Sequence, residues 1–194
     1  MAESTTNLEI FGIRSAQILN VVVLDDSLSV IEDLKAQLGT IAGIKAVAFL
    51  DPEAALAHAA THKIDLFLID YNMPKLTGTQ VIKRLRAMPA YRYVPIIMIT
   101  SEAERAIRLE ALEAETTDFL RKPLDVDELK SRVGNLLNLR RVQLDLANRA
   151  DDLAEAVEAA TEELSSREAE MIMRLAKAIE YRDCDTGQHV SRVA

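Results

Sequence analysis

Residues 64–78 read IDLFLIDYNMPKLTG. A short apolar run, Ile64 to Ile69, ends on Asp70, and a loop with one proline then closes on Gly78. Such a run, bounded by turn residues, reads as a strand buried on both faces. Three more runs end in a similar way. Ile18–Leu24 ends at Asp25-Asp26, Val94–Ile99 ends at Thr100, and Phe119–Leu120 leads into Lys122-Pro123. In a parallel sheet the C-terminal ends of the strands converge on one edge, where ligands bind. Three carboxylates, a hydroxyl and an ammonium group are therefore expected to meet at one place.

Working outward, the strand candidates are 18–24, 45–50, 64–69, 94–99 and 118–121. The segments between them read as helices. Residues 29–40 place Val30, Ile31, Leu34 and Leu38 at helical spacing. At 52–61, Asp51 is a candidate N-cap, and Pro52 stands at the first helical position. Residues 77–88 bring Val81, Ile82 and Leu85 to one face, and residues 102–113 do the same with Ile107, Leu109 and Leu112. Five strands alternating with helices predict a three-layer α/β domain with right-handed crossovers. Residues 1–17 read as a loosely packed N-terminal arm.

Beyond Pro123 the character changes. Between Val126 and Tyr181 there is no proline, and Gly134 is the only glycine. Leu136, Gln143, Ala150, Val157, Leu164 and Met171 recur every seven residues, and Leu139, Leu146, Leu153 and Ala160 follow three residues behind. These are coiled-coil positions. The second series fails at Arg167 and Arg174, so the strict seam ends near Leu164. A continuous helix of about 50 residues would be about 75 Å long, too long to fold back within one small domain without a break. Gln143 and the alanines make the pairing modest in strength, which suits a switchable register.

The chain has 194 residues and a formal charge of −8. That length suits one ordinary domain plus an extension. No stretch approaches eighteen consecutive apolar residues, so no membrane insertion is expected. The start, MAESTTNLEIFGIRS, lacks a basic n-region followed by an apolar core. It is not read as a secretory signal, and a cytoplasmic location is the default. Cys184 is the one cysteine, which excludes a disulfide framework and a thiolate-rich zinc site. The acidic balance argues against direct binding of nucleic acid, since phosphate backbones call for clustered Lys and Arg.

The strand-end residues suit phosphoryl transfer. A carboxylate attacks as a nucleophile and forms an aspartyl-phosphate. It needs a divalent cation when its target is anionic, and Mg²⁺ takes oxygen ligands such as Asp25, Asp26 and Asp70 supply. Without a cation these like charges repel and raise one another's pKa. Lys122 and the Thr100 hydroxyl would each engage a phosphoryl oxygen. Taken singly, acids after strands are more simply helix caps; the whole set at matching strand ends is not. A dinucleotide-binding domain is disfavoured, because DDSLS, not a glycine-rich turn, follows the first strand.

VVVLDD at 21–26, IDYNMPKLTG at 69–78, MITS at 98–101 and FLRKP at 119–123 together resemble a two-component response-regulator receiver domain, over residues 18–135. The resemblance implies a flavodoxin-like, doubly wound fold with five parallel strands. It implies that Asp70 is the phosphoacceptor for a sensor histidine kinase or phosphotransfer protein. Mg²⁺ would be held by Asp25, Asp26, Asp70 and the backbone carbonyl of Asn72. Thr100 and Lys122 would contact the phosphoryl group, and the Lys122–Pro123 bond would be cis. Phe119 holds the place of an aromatic switch that turns inward when the hydroxyl residue moves to the phosphate. Lacking a hydroxyl, it would gain packing there but no hydrogen bond.

The helix from about Val126 would carry the rearrangement into the coiled-coil segment, 136–170, as a change of pairing or register in a parallel homodimer. The last part, 171–194, holds Tyr181-Arg182-Asp183, Asp185-Thr186-Gly187-Gln188-His189 and Arg192. This string resembles the opening of an HD-GYP domain, the metal-dependent cyclic di-GMP phosphodiesterase family. Asp185 and His189, four apart, would be metal ligands there, although the family usually has Glu where Asp185 stands. Iron- or manganese-type metals would belong only to a complete domain of that kind. The HD pair and the GYP signature are absent. The chain thus reads as the N-terminal portion, or a shortened form, of a longer phosphodiesterase, and is not itself expected to hydrolyse a cyclic dinucleotide. The alternative is a receiver-coiled-coil adaptor that acts by dimerisation or partner docking without enzymatic output.

Overall fold

The structure is a computed structural model that describes residues 18–101 and 110–190, with side chains described through Ile179. Five strands form one parallel sheet: β1 (Leu19–Leu24), β2 (Ile44–Phe49), β3 (Leu66–Asp70), β4 (Ile96–Thr100) and β5 (Asp118–Arg121), in the order β2-β1-β3-β4-β5. Between them lie α1 (Leu28–Leu38), α2 (Pro52–Thr61), α3 (Gly78–Arg86) and α4, described over 110–113. The final helix, α5, is Val126–Val190. The N-terminal arm and the start of the fourth expected helix, 102–109, lie outside the described residues.

Each central strand alternates between two covered faces. Val22, Leu24, Phe67, Ile69, Ile96 and Met98 point to the side of α2, α3 and α4, where they meet Leu56, Val81, Ile82 and Ala111. Leu19, Val21, Val23, Leu66, Leu68, Ile97 and Ile99 point the other way, onto Ile31, Leu34 and Leu38 of α1 and Leu129, Val133 and Leu137 of α5. Burial on both faces explains why these strands read as near-continuous apolar runs.

Two element ends differ from expectation in a way that matters. β3 and β4 run one residue further, so that Asp70 and Thr100 are their last residues. The ladder continues there because Tyr71 N donates to Ile99 O at 2.9 Å and Lys122 N donates to Thr100 O at 2.9 Å. Helix α2 begins as expected: the Asp51 side chain accepts from Ala54 N at 3.3 Å, and Pro52 opens the helix.

Helix α5 divides between two compact units, the first ending at Asp145. In the first, Leu129, Val133 and Leu137 are buried, and Leu136 and Leu144 pack against the same cluster. Leu136, expected to open the heptad seam, is therefore drawn into the α/β unit. Two ion pairs add to this docking. Arg132 lies 2.6 Å from Asp118 at the start of β5, and Arg140 lies 3.6 Å from the buried Asp65 just before β3. In the second unit, from Leu146, Leu146, Leu153, Val157, Leu164 and Met171 are all exposed. Among the described residues no helix is long and apolar enough to cross a membrane.

Candidate functional site

β1 and β3 are neighbours in the sheet, and so their C-terminal ends bring Asp25 and Asp70 side by side. Both carboxylates are buried, Asp25 at 0% and Asp70 at 3% exposure. Lys122, just past β5, reaches across the sheet edge between them. Its Nζ lies 2.7 Å from Asp25 Oδ2 and 2.6 Å from Asp70 Oδ1. Asp25 Oδ1 accepts from Ser27 N at 2.9 Å, which fixes the carboxylate's orientation. Asp26 is exposed beside this pair. Thr100 is nearly buried at the end of β4, the strand next to β3.

The electrostatics follow from burial. The Asp70 carboxyl is pushed above the usual carboxylate range by desolvation; the hydrogen bond and charge of Lys122 oppose this, and Asp25 and Asp26 reinforce it. For Lys122, burial works against the charged form, but the hydrogen bonds and charges of Asp25 and Asp70 outweigh it and raise the pKa. The ammonium thus neutralises part of a carboxylate excess that is costly to bury.

The donor set suits a hard divalent cation in kind: carboxylate oxygens from Asp25, Asp26 and Asp70, with backbone carbonyls in the loop that follows. As they stand, Asp25 and Asp70 are bridged by the Lys122 ammonium. Among the described residues no three Asp, Glu, His or Cys side chains are gathered as a ready ligand cage. The Lys122–Pro123 bond is cis. Phe119 is half-buried and packs against the α2–α4 face of the sheet, in register with Met98 of β4. Asn72 is exposed in the loop after Asp70. The side chains of Asp185 and His189 lie outside the described ones.

Several residues that shape the site had no local signal in the sequence. Gly78 donates its N–H to Tyr71 O at 2.9 Å, and a Cβ at this position would lie 2.5 Å from the carbonyl oxygen of Asp70. The glycine therefore lets α3 start directly against the backbone of Asp70. Glu110 of α4 accepts from Thr79 Oγ1 at 2.6 Å and from Tyr71 OH at 3.3 Å. The TG that ends the Asp70 loop marks a turn, but not what lies against Gly78. The Glu110 contacts join residues far apart in the chain, and periodicity cannot show them.

Comparison with known proteins points the same way. Residues 21–134 match the family model described as response regulator receiver domain. The cyclic di-GMP phosphodiesterase response regulator RpfG of Xanthomonas campestris is 40% identical over 183 residues, 91% of this chain and 47% of that protein. A probable cyclic di-GMP phosphodiesterase of Vibrio cholerae is 30% identical over 172 residues, 89% of this chain and 38% of that protein. The chain thus spans about half the length, or less, of these relatives. Among solved structures, the receiver domain of a sensor histidine kinase from Pseudomonas aeruginosa, with magnesium ion coordinated in its active site cleft, matches with a TM-score of 0.58. It is 26% identical and covers 64% of this chain and 99% of that one.

Proposed function

This chain belongs to the response regulator receiver domain family, and from that premise we propose that Asp70 accepts a phosphoryl group from a histidine kinase or phosphotransfer protein. We propose also that α5 carries the resulting change to a cyclic di-GMP phosphodiesterase output of the HD-GYP type. The observation that carries the first reading is Lys122, whose ammonium bridges the buried Asp25 and Asp70 at 2.7 and 2.6 Å. Buried carboxylates sharing one cation form a site prepared for a change of charge.

In the reaction an Asp70 carboxylate oxygen attacks phosphorus. The P–N bond of the donor's phosphohistidine breaks, and the imidazole nitrogen leaves with the electron pair; from acetyl phosphate the P–O bond breaks instead and acetate leaves. Lys122 pairs with a phosphoryl oxygen, and the Thr100 hydroxyl donates to another. Asp25, Asp26, Asp70 and the Asn72 carbonyl would hold Mg²⁺, which supplies charge neutralisation when bound. The added charge shifts an equilibrium between two arrangements only through contacts that differ between them. Thr100 and Phe119, on adjacent strands, are the residues assigned to that difference.

The second reading rests on the relatives and on α5. The two phosphodiesterases align over 91% and 89% of this chain, beyond the receiver itself. The exposed seam of Leu146, Leu153, Val157 and Leu164 is assigned to a parallel homodimer with a second copy. The family pattern at Asp185 and His189 assigns these two residues to the metal site of the output domain.

The test of the phosphoacceptor uses the chain with acetyl phosphate and Mg²⁺, followed by intact mass. The wild-type chain is expected to gain the mass of one phosphoryl group, and Asp70→Asn to gain none. Equal labelling of the Asn variant would sink the assignment, as would a wild-type chain that takes no label.

A further inference from the structure

We propose that Glu110 is a positioning residue for phosphorylation of Asp70: from α4 it holds both ends of the loop that follows the acceptor. The proposal rests on the reading that Asp70 is the phosphoacceptor.

The loop runs from Tyr71 to Thr77, between β3 and α3. Tyr71 is its first residue, and Thr79 lies in the first turn of the helix it leads into. Glu110 Oε2 accepts from Tyr71 OH at 3.3 Å, and Oε1 accepts from the fully buried Thr79 hydroxyl at 2.6 Å. The two oxygens of one carboxylate thus engage the two sides of the loop. An ionised carboxylate only accepts, so Thr79 is the donor. Thr79 Oγ1 must then accept from Thr77 Oγ1, 2.9 Å away. Thr77 is the N-cap of α3; its side chain accepts from Gln80 N, and its N–H donates to Gln80 Oε1. A chain of hydrogen bonds therefore runs from the helix cap through Thr77 and Thr79 to Glu110 and back to Tyr71.

The position of this chain gives it a part in the chemistry. Tyr71 is bonded to Asp70, and its N–H and C=O are already committed to Ile99 O and Gly78 N. The next residue, Asn72, is the one whose carbonyl is assigned to Mg²⁺. In this proposal the bond from Glu110 to the Tyr71 side chain limits how far the backbone on either side of Tyr71 can turn. Glu110 also lies in α4, described over 110–113, after β4, the strand ending at Thr100. It therefore ties the segment after Asp70 to α4. Its geometry suits orientation, where small displacements of a reacting group cost large factors in rate.

The experiment measures the rate of Asp70 labelling by acetyl phosphate as Mg²⁺ is varied, alongside thermal unfolding. Glu110→Ala is expected to slow labelling about ten-fold and to raise the Mg²⁺ needed for half-maximal rate. Glu110→Gln is expected to restore most of the rate, because its oxygen accepts from Thr79 and its amide donates to the Tyr71 oxygen. Labelling of Glu110→Ala at the wild-type rate and Mg²⁺ requirement would overturn the proposal, and so would a Gln variant as slow as the Ala variant. If Glu110→Ala does not fold, Tyr71→Phe removes only the hydroxyl. It is expected to slow labelling about three-fold, and an unchanged rate would overturn the proposal. A wild-type chain that takes no label overturns the phosphoacceptor reading, and this proposal with it.

Discussion

Burial raises the proton affinity of the Asp70 carboxyl; Lys122 opposes the effect, and Asp25 and Asp26 add to it. The net direction has a consequence for stability. A carboxyl with a folded pKa above the unfolded one binds its proton more tightly in the native state, so its ionisation weighs against the fold. That burden is absent below the usual carboxylate value of 3.8 and grows as pH rises from there through the folded pKa. Asp70→Asn is therefore expected to raise the unfolding midpoint at neutral pH, with the gain fading as pH falls toward 3.8. Thermal melts by circular dichroism across that range check it; an Asn variant that melts lower at neutral pH contradicts the electrostatic account. At this scale the sequence was informative about kind and less so about company. Asp25, Asp70, Thr100 and Lys122 were legible as strand-end residues because apolar runs announce strand ends. That one ammonium would bridge both buried carboxylates, while Asp26 stays exposed, was not, because which carboxylate turns inward depends on how β1, β3 and the β5–α5 connection meet.

Among the elements, α5 shows most plainly how local and nonlocal rules divide. Its helical character follows from composition, with no proline between Val126 and Tyr181. Where it stops packing on the sheet does not. The heptad series begins at Leu136 on paper, yet Leu136 and Leu144 pack against the sheet-face cluster, and Arg140 pairs with Asp65. Among the described residues Asp65 Oδ1 and Arg140 Nε find no hydrogen-bond partner, so this buried pair is an imperfect clasp. From Leu146 onward the apolar positions are exposed, and the seam falls to the proposed second copy. Leu153→Ala removes about 2 kcal/mol of burial per helix from such a dimer. Sedimentation equilibrium is expected to show a weakened dimer for this variant, and no change for Glu155→Ala on the outer face. A chain that stays monomeric at all concentrations would refute the pairing.

On the scale of the whole molecule, the proposed signal runs from a carboxylate to a helix pair. Arg167 and Arg174 occupy seam positions where the heptad asks for apolar side chains, and each is held by a glutamate one turn earlier, Glu163 and Glu170, at 2.6 Å. In the proposed dimer pairing would thus be weakest beyond Leu164, which is where a change of register costs least. Spin labels at Ser165 in the dimer are expected to report a different interhelical distance once Asp70 is phosphorylated with acetyl phosphate. Identical distance distributions in the two states, with labelling confirmed by mass, would rule out signalling through helix register.

By itself the sequence determined the α/β class, the parallel sheet, the residues at the strand ends and the long helix. Each of these rests on short-range rules, since a strand buried on both faces must be apolar and a long helix must avoid proline. Only the tertiary structure decided that Lys122 joins Asp25 to Asp70, that Gly78 must lie against the Asp70 carbonyl, that Glu110 bonds Tyr71 and Thr79 on the two sides of the loop after Asp70, and that the α/β unit keeps α5 as far as Asp145. Those contacts join segments far apart in the chain. Their geometry is set by how the sheet twists and its layers pack, and that information is spread over the whole core.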